Sequence, residues 1–240
     1  MTTKLNKKRK GYTDIFGADL LKNAIFTGES DIPLCKTFHS KLPQTLISYT
    51  DLNQIKGKAK ADTFVHFFKD DQKFDGKRNG IMNDIDSISK TIHKIKEKGI
   101  KGIITPDFST YQDFPYPIKL MNTFRMRTFG IVAQEQGLEV INNVRFGTYE
   151  TYEYCFDGLP RNDVLCISTV GCLIKKNDRK RLKEGLVVLL KKLKPKILII
   201  YGKAPYELFK PLFDAGIKII TFPSQASLVF NLKKKEKSDE

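Results

Sequence analysis

Residues 99–111 read GIKGIITPDFSTY, a short apolar run that halts at a proline and an aspartate. Ile103, Ile104 and Thr105 are β-branched, which suits a buried strand, and Pro106 has no N–H to give to a ladder. The strand therefore ends there. Asp107, Ser109 and Thr110 stand just past its carboxyl end, where α/β sheets hold their ligands. On the other side, Gly99 stops a helix expected over residues 83–98. Ile81, Ile85, Ile88, Ile92 and Ile95 recur at spacings of four and three, which puts one apolar stripe on that helix and requires a sheet beneath it.

The same alternation continues in both directions. TFVHFF at 63–68 reads as the preceding strand, and further strands are expected at 139–144, 164–169, 197–201 and 217–222. Helices fall between them at 117–136, 179–194 and 205–215, the first entered through Pro115 and Pro117 with Ile118, Met121, Phe124 or Arg125, Phe129 and Val132 facing inward. Parallel neighbours need a long crossover, and a helix is the usual one. The expectation is an α/β fold: a mostly parallel central sheet of about six strands with flanking helices, as an open doubly wound sheet or an incomplete, distorted barrel. Residues 12–60 are irregular, with a short helix at 19–25 and a strand-like LISYT at 46–50.

The chain has 240 residues and a formal charge of +15, and the position of that charge matters more than its size. Lys4, Lys7, Lys8, Arg9 and Lys10 make a basic arm with almost no apolar side chains, so residues 1–10 are expected to be disordered. Residues 175–196 carry ten cations against Asp178 and Glu184, a net +8, on a helix whose Leu182, Leu186, Leu189, Leu190 and Leu193 stripe belongs to the core. Residues 11–232 form one α/β domain, and 233–240 a disordered lysine-rich tail. No apolar run approaches the length of a membrane span, and the polar N-terminus lacks the apolar region of a signal peptide, so a cytoplasmic protein without membrane contact is expected. Cys35, Cys155, Cys166 and Cys172 show no CxxC spacing, which speaks against structural zinc. His66 sits inside a strand as a core histidine, and His39 and His93 have no partner pattern. No oligomeric state follows from these patterns.

If the strands are parallel, the residues after each of them share one rim: Asp70 and Asp71; Asp107 and Ser109; Asn142, Asn143 and Arg145; Thr169 and Gly171; Tyr201, Gly202 and Lys203; Pro223, Ser224 and Gln225. This mixture of carboxylates, amides and cations suits a nucleotide or phosphorylated small molecule. Asp107 would serve as base or metal ligand with Asp70 and Asp71 in support, a divalent metal would be the cofactor, and Lys203 would be the phosphate partner. The same residue types also end strands for local hydrogen-bonding reasons. No nucleophile elbow, HExxH, Walker loop or GxGxxG is present to name a reaction. A second class of function rests on charge: Arg179, Lys180, Arg181, Lys183 and Lys191 on a solvated helix face, with the arm, would bind nucleic acid through its phosphates, independent of sequence. Charge alone places this second reading slightly ahead.

Six blocks, HFFKDDQKF (66–74), ITPDFSTY (104–111), FGIVAQEQGLEVINNVRF (129–146), CFDGLP (155–160), ISTVGC (167–172) and KPKILIIYG (194–202), together resemble DUF4417. The likeness covers residues 32–222 in the family's order. That family, found in bacteria, phages and mobile elements, has no assigned activity, so the resemblance implies a phage or mobile-element setting and no chemistry. The family pattern has tryptophan at aromatic positions, Phe146 among them, whereas this chain has none.

Overall fold

Seven parallel strands, hydrogen-bonded in the order in which the chain makes them, form the centre of the computed structural model, which describes residues 18–236. A two-strand hairpin of β1 (Phe26–Thr27) and β2 (Ile32–Pro33) comes first. Strand β3 (Thr45–Ser48) then opens the main sheet, followed by β4 (Thr63–His66), α1 (Asp71–Phe74), α2 (Ile85–Glu97), β5 (Gly102–Ile104) and α3 (Tyr116–Glu135). After these come β6 (Glu139–Asn143), β7 (Val164–Ser168), α4 (Lys176–Leu193), β8 (Ile197–Tyr201), α5 (Tyr206–Asp214), β9 (Lys218–Phe222) and α6 (Gln225–Glu236).

A strand order that never reverses excludes the doubly wound arrangement, whose halves diverge from a switch point. Crossovers of one hand place the connecting helices α2 to α5 on one face, and the sheet curls into a half-barrel. The strand alternation shows both faces. Val65, Ile103, Val140, Leu165 and Leu198 point outward into two clusters beneath the helices, whereas Phe64, Ile104, Ile141, Cys166, Ile199 and Tyr201 point inward to a core of their own. Phe38 closes the lower end of that inner core: its N–H donates to the Asp163 carboxylate (3.0 Å), and its ring meets Phe64 edge-on at 6.1 Å. Gly102 lies where the Phe64 ring crosses the sheet, and a Cβ there would stand 2.2 Å from that ring.

The helix over 83–98 appears as α2. Its N-terminus is capped by Asp84, whose carboxylate accepts from the Ser87 N–H at 2.7 Å, and Ile88, Ile92 and Ile95 are buried on the sheet, with Ile81 packed alongside just before the helix. The segment read as strand-like LISYT pairs in parallel with β4 (Thr45 opposite Thr63) and joins the six strands expected as the seventh. One expectation needs correction. On α3, Ile118 is exposed, while Asn122, Met126, Arg127, Gly130 and Ala133 are buried with Phe129 and Val132. The reason is that α3 is covered twice, by the sheet on one side and by the 24–36 segment on the other, so no single apolar stripe marks it. The basic arm expected at 1–10 lies outside the described residues, and α6 runs on through residue 236, into the stretch set apart as a tail.

One residue ties three of these parts together. Arg127 on α3 is fully buried and donates to the carbonyls of Asp157 (3.1 Å), Asn143 (3.3 Å) and Cys155 (2.8 Å), while burial pulls its pKa below the ordinary arginine value. Ile88→Ala is expected to lower unfolding free energy by about 2–5 kcal/mol, since it empties a site under α2. The exposed neighbour change Lys90→Ala should stay within about 0.5 kcal/mol. Urea titration of both variants measures the difference, and equal effects would refute the packing described for α2.

Candidate functional site

Two strand ends meet through one carboxylate. Asp107, three residues past β5, accepts from Asn143 Nδ2 at 2.7 Å and from Arg145 Nη1 at 3.3 Å. Asn143 ends β6 and points inward by the strand alternation, and its backbone N–H is held by Thr105 Oγ1 (2.8 Å). Arg145 follows two residues later. The Asp107 carboxylate beside it pushes the guanidinium's pKa above the ordinary arginine value, so Arg145 stays charged. The cluster nevertheless remains incomplete: Asn143 Oδ1 and Arg145 Nε are buried with no hydrogen-bond partner.

Arg145 stands between two adjoining cavities at the carboxyl ends of the strands. The larger, about 700 Å3, is bordered by Asp107, Ser109, Tyr201 and, from α6, Val229 and Phe230. The smaller, about 380 Å3, is bordered by Gly147, Gly171, Cys172, Asp178 and Arg181. Asp70, Tyr111, Arg145, Ser168 and Val170 border both. The loops that make these walls are fixed from behind. Lys119 of α3, only 3 % exposed, binds Glu150 at 2.8 Å, Thr148 Oγ1 at 3.2 Å and the Gln112 carbonyl at 3.2 Å, and its ammonium depresses the Glu150 pKa to about 2. Asn122 Nδ2 likewise holds the Ser109 carbonyl at 2.7 Å.

Of the residues named from sequence, the structure brings Asp70, Asp107, Ser109, Asn143, Arg145, Gly171, Tyr201, Ser224 and Gln225 to this rim. Asp71 lies behind it. Its carboxylate accepts from the Ser109 N–H (3.1 Å) and hydroxyl (2.9 Å), and burial raises its pKa against the lowering effect of those bonds. Asn142 points the other way, buried under α3 near Gly130, because consecutive strand residues face opposite sides. Gly202 and Lys203 border neither rim cavity: Gly202 has φ 122° and packs on Thr169, whose hydroxyl donates to the Lys203 carbonyl at 2.8 Å. Arg181, assigned from sequence to a nucleic-acid face, instead borders the smaller cavity beside its partner Asp178. Helix α6 was missed altogether. Among the described residues, no three His, Cys, Asp or Glu side chains come together to hold a metal ion.

His66 belongs to the interior, as its position within a strand implies. Its Nδ1 accepts from the Phe68 N–H (3.1 Å), its ring lies 4.4 Å from the Tyr201 ring, and it borders a third cavity of about 300 Å3 that both edge strands, β3 and β9, also line. Burial holds its pKa down at about 3, against 6.5 for an ordinary histidine. Between these values the unfolded chain binds the proton and the native one does not, so this group's share of stability is full above pH 6.5 and is lost as pH falls toward 3. His66→Gln, which keeps an acceptor for the Phe68 N–H, is expected to flatten the fall in unfolding free energy by about 1 kcal/mol per pH unit. Urea titrations at pH 4, 5 and 6 read that slope directly, and an unchanged slope would show that His66 titrates normally.

Comparison with known proteins adds a family and a setting. The sequence model of the domain of unknown function DUF4417 matches residues 26–223. Two curated relatives are phage proteins: the Gene 1 protein of Mycobacterium phage L5 is 32% identical over 145 residues, covering 60% of this chain and 59% of the relative. The Gene 1 protein of Mycobacterium phage D29 is 32% identical over 142 residues, covering 59% of this chain and 49% of the relative. The chain thus aligns with about half to three fifths of these relatives' length. No solved structure matches, and no helix among the described residues is long and apolar enough to cross a membrane. With more than three quarters of its length matched, inner core and rim included, the chain belongs to the DUF4417 family.

Proposed function

We propose that the strand-end crevice binds a phosphate-bearing small molecule, with Arg145 as the anion's partner. The observation that carries this is the state of Arg145: its guanidinium is held in place and kept charged by Asp107, yet its Nε is buried with no partner, at the wall shared by two cavities. Leaving a buried donor unpaired costs about 1–3 kcal/mol, a cost that an oxyanion at that position would remove. Arg181, whose guanidinium also binds Asp178 and Gln112, and the backbone at Gly171 border the smaller cavity beside Arg145. Asp107 has both oxygens engaged, by Asn143 and Arg145, so its part in this reading is to orient those two groups rather than to act as a base or to hold a metal. The four cysteines carry no disulfide, which supports work in the reducing cytoplasm.

A thermal-shift series with pyrophosphate, sugar phosphates and nucleotides checks the reading. A binding phosphate at one hundred times its Kd stabilises the native state by about 2.7 kcal/mol, which for a domain of this size corresponds to roughly 5–10 °C in Tm. The double variant Asp107→Asn/Arg145→Gln, which leaves neither charge unpaired, should fold and lose the shift. A series in which no phosphate moves the wild-type Tm would overturn the proposal.

The second reading, contact with nucleic acid, is supported by exposure on and around α4, where nine of the ten cations at 175–196 are exposed. It is weakened by pairing, since Arg179 faces Glu207 at 3.9 Å, Lys180 faces Glu184 at 3.9 Å and Arg181 binds Asp178. Under this reading, affinity for an oligonucleotide falls steeply between about 50 and 200 mM salt, and Lys180→Glu/Lys183→Glu/Lys191→Glu flattens the dependence. Fluorescence anisotropy with DNA and RNA measures both. Absence of binding at the lower salt would remove this reading and leave the crevice untouched.

A further inference from the structure

The two rim cavities differ in chemistry as well as in size. Around the smaller, Arg145 and Arg181 stand with the glycines Gly147 and Gly171, where backbone can approach a ligand closely. Around the larger, Phe68, Tyr201 and Phe230 add aromatic surface, with Val229 and the Tyr111 ring, beside polar groups such as Asp107, Ser109 and Gln225. Phe68 and Tyr201 lie nearly parallel, 4.9 Å apart at 21°, and form a flat wall at the top of the inner core. Tyr111, Val229 and Phe230 are 53 %, 47 % and 68 % exposed, an unusual amount of apolar surface to leave at the edge of one cavity.

We propose that the ligand of the crevice is a nucleoside phosphate, its phosphate on Arg145 and Arg181 and its base in the larger cavity between the Phe68–Tyr201 wall and Phe230 of α6. This inference rests on the phosphate site argued above and adds the class of ligand. A planar ring placed there covers the exposed aromatic surface, and each stacked base gains about 1–3 kcal/mol from such contact, whichever base it is. The Arg145 side chain, which borders both cavities, is where the two halves of such a ligand join.

Helix α6 has a particular part in this arrangement. The family model ends at residue 223, and α6 begins at Gln225. Its first turn is tied to the rim: the Gln225 N–H donates to the Tyr201 hydroxyl at 3.1 Å, and Lys69 donates to the Gln225 side chain. The phosphate end of the crevice is therefore built from family positions, whereas one wall of the base end comes from a helix outside the matched region. Preference for a base is then set by Ala226, Val229 and Phe230, which lie past the matched region.

Calorimetric titration of the full chain with pyrophosphate, ribose 5-phosphate and the four common 5′-nucleoside monophosphates tests this. At least one nucleotide should bind about tenfold or more tighter than ribose 5-phosphate, as one stacked ring predicts. Phe230→Ala, at an exposed position whose truncation leaves the core intact, should remove most of that advantage and leave ribose 5-phosphate affinity within about twofold. If pyrophosphate and ribose 5-phosphate bind as tightly as every nucleotide, or if Phe230→Ala leaves the nucleotide advantage unchanged, the base site is refuted while the phosphate site stands. If none of these ligands binds, the phosphate site falls and this inference falls with it.

Discussion

The winding of the sheet constrains everything else in the molecule. Seven parallel strands laid down side by side in chain order, joined by crossovers of one hand, leave the connecting helices on one face. The other face has no crossover helix to cover it, and it carries Phe64, Ile104, Ile141, Cys166 and Ile199, side chains that water would penalise. Curling is the available solution, because it turns the uncovered face against itself. It works only where bulk is matched by absence, as at Gly102 beneath the Phe64 ring, and where the open end is plugged, as by Phe38 held on Asp163. The curl stops short of closure, and the edges β3 and β9 face a common cavity, with His66 and Tyr201 between them. The same curl draws the carboxyl ends of β4 to β9 toward one crevice, so the site is a consequence of how the inner face is buried.

What the sequence made legible follows from which forces act locally. Helix α2, β8 and the crossover pattern could be read because each buries one face, and the isoleucine spacing or the ILIIY run records that burial directly. Helix α3 could be located but its inward face could not, since burial on two sides erases the stripe that would reveal it. Arg127 and Lys119 gave no signal, because a buried cation looks like any surface cation until its carbonyl or carboxylate partners arrive from distant segments. Asn142 and Asn143 show a signal that was present and unused: within a strand, only one of two consecutive residues can face the rim. Arg181 shows the opposite case, a residue that fits a solvated helix face by composition and reaches the crevice only because α4 starts beside it.

Three cations of α3 and the rim, Arg127, Lys119 and Arg145, separate support from function. Arg127 is complete, with three carbonyls around its guanidinium and no solvent exposure. Lys119 is complete as well, with Glu150, a threonine hydroxyl and a carbonyl for its ammonium. Both hold segments of chain in place, and both satisfy the demand that a buried charge be paired on all sides. Arg145 has the same kind of carboxylate anchor in Asp107, and yet one of its buried nitrogens stays unpaired at a cavity wall. A fold that satisfies the nitrogens of Arg127 and Lys119 could have satisfied the buried Nε of the partly exposed Arg145 by the same means. The position left open lies where the strand ends converge, and that is the physical ground for reading Arg145 as a residue that waits for an anion rather than one that only supports the wall.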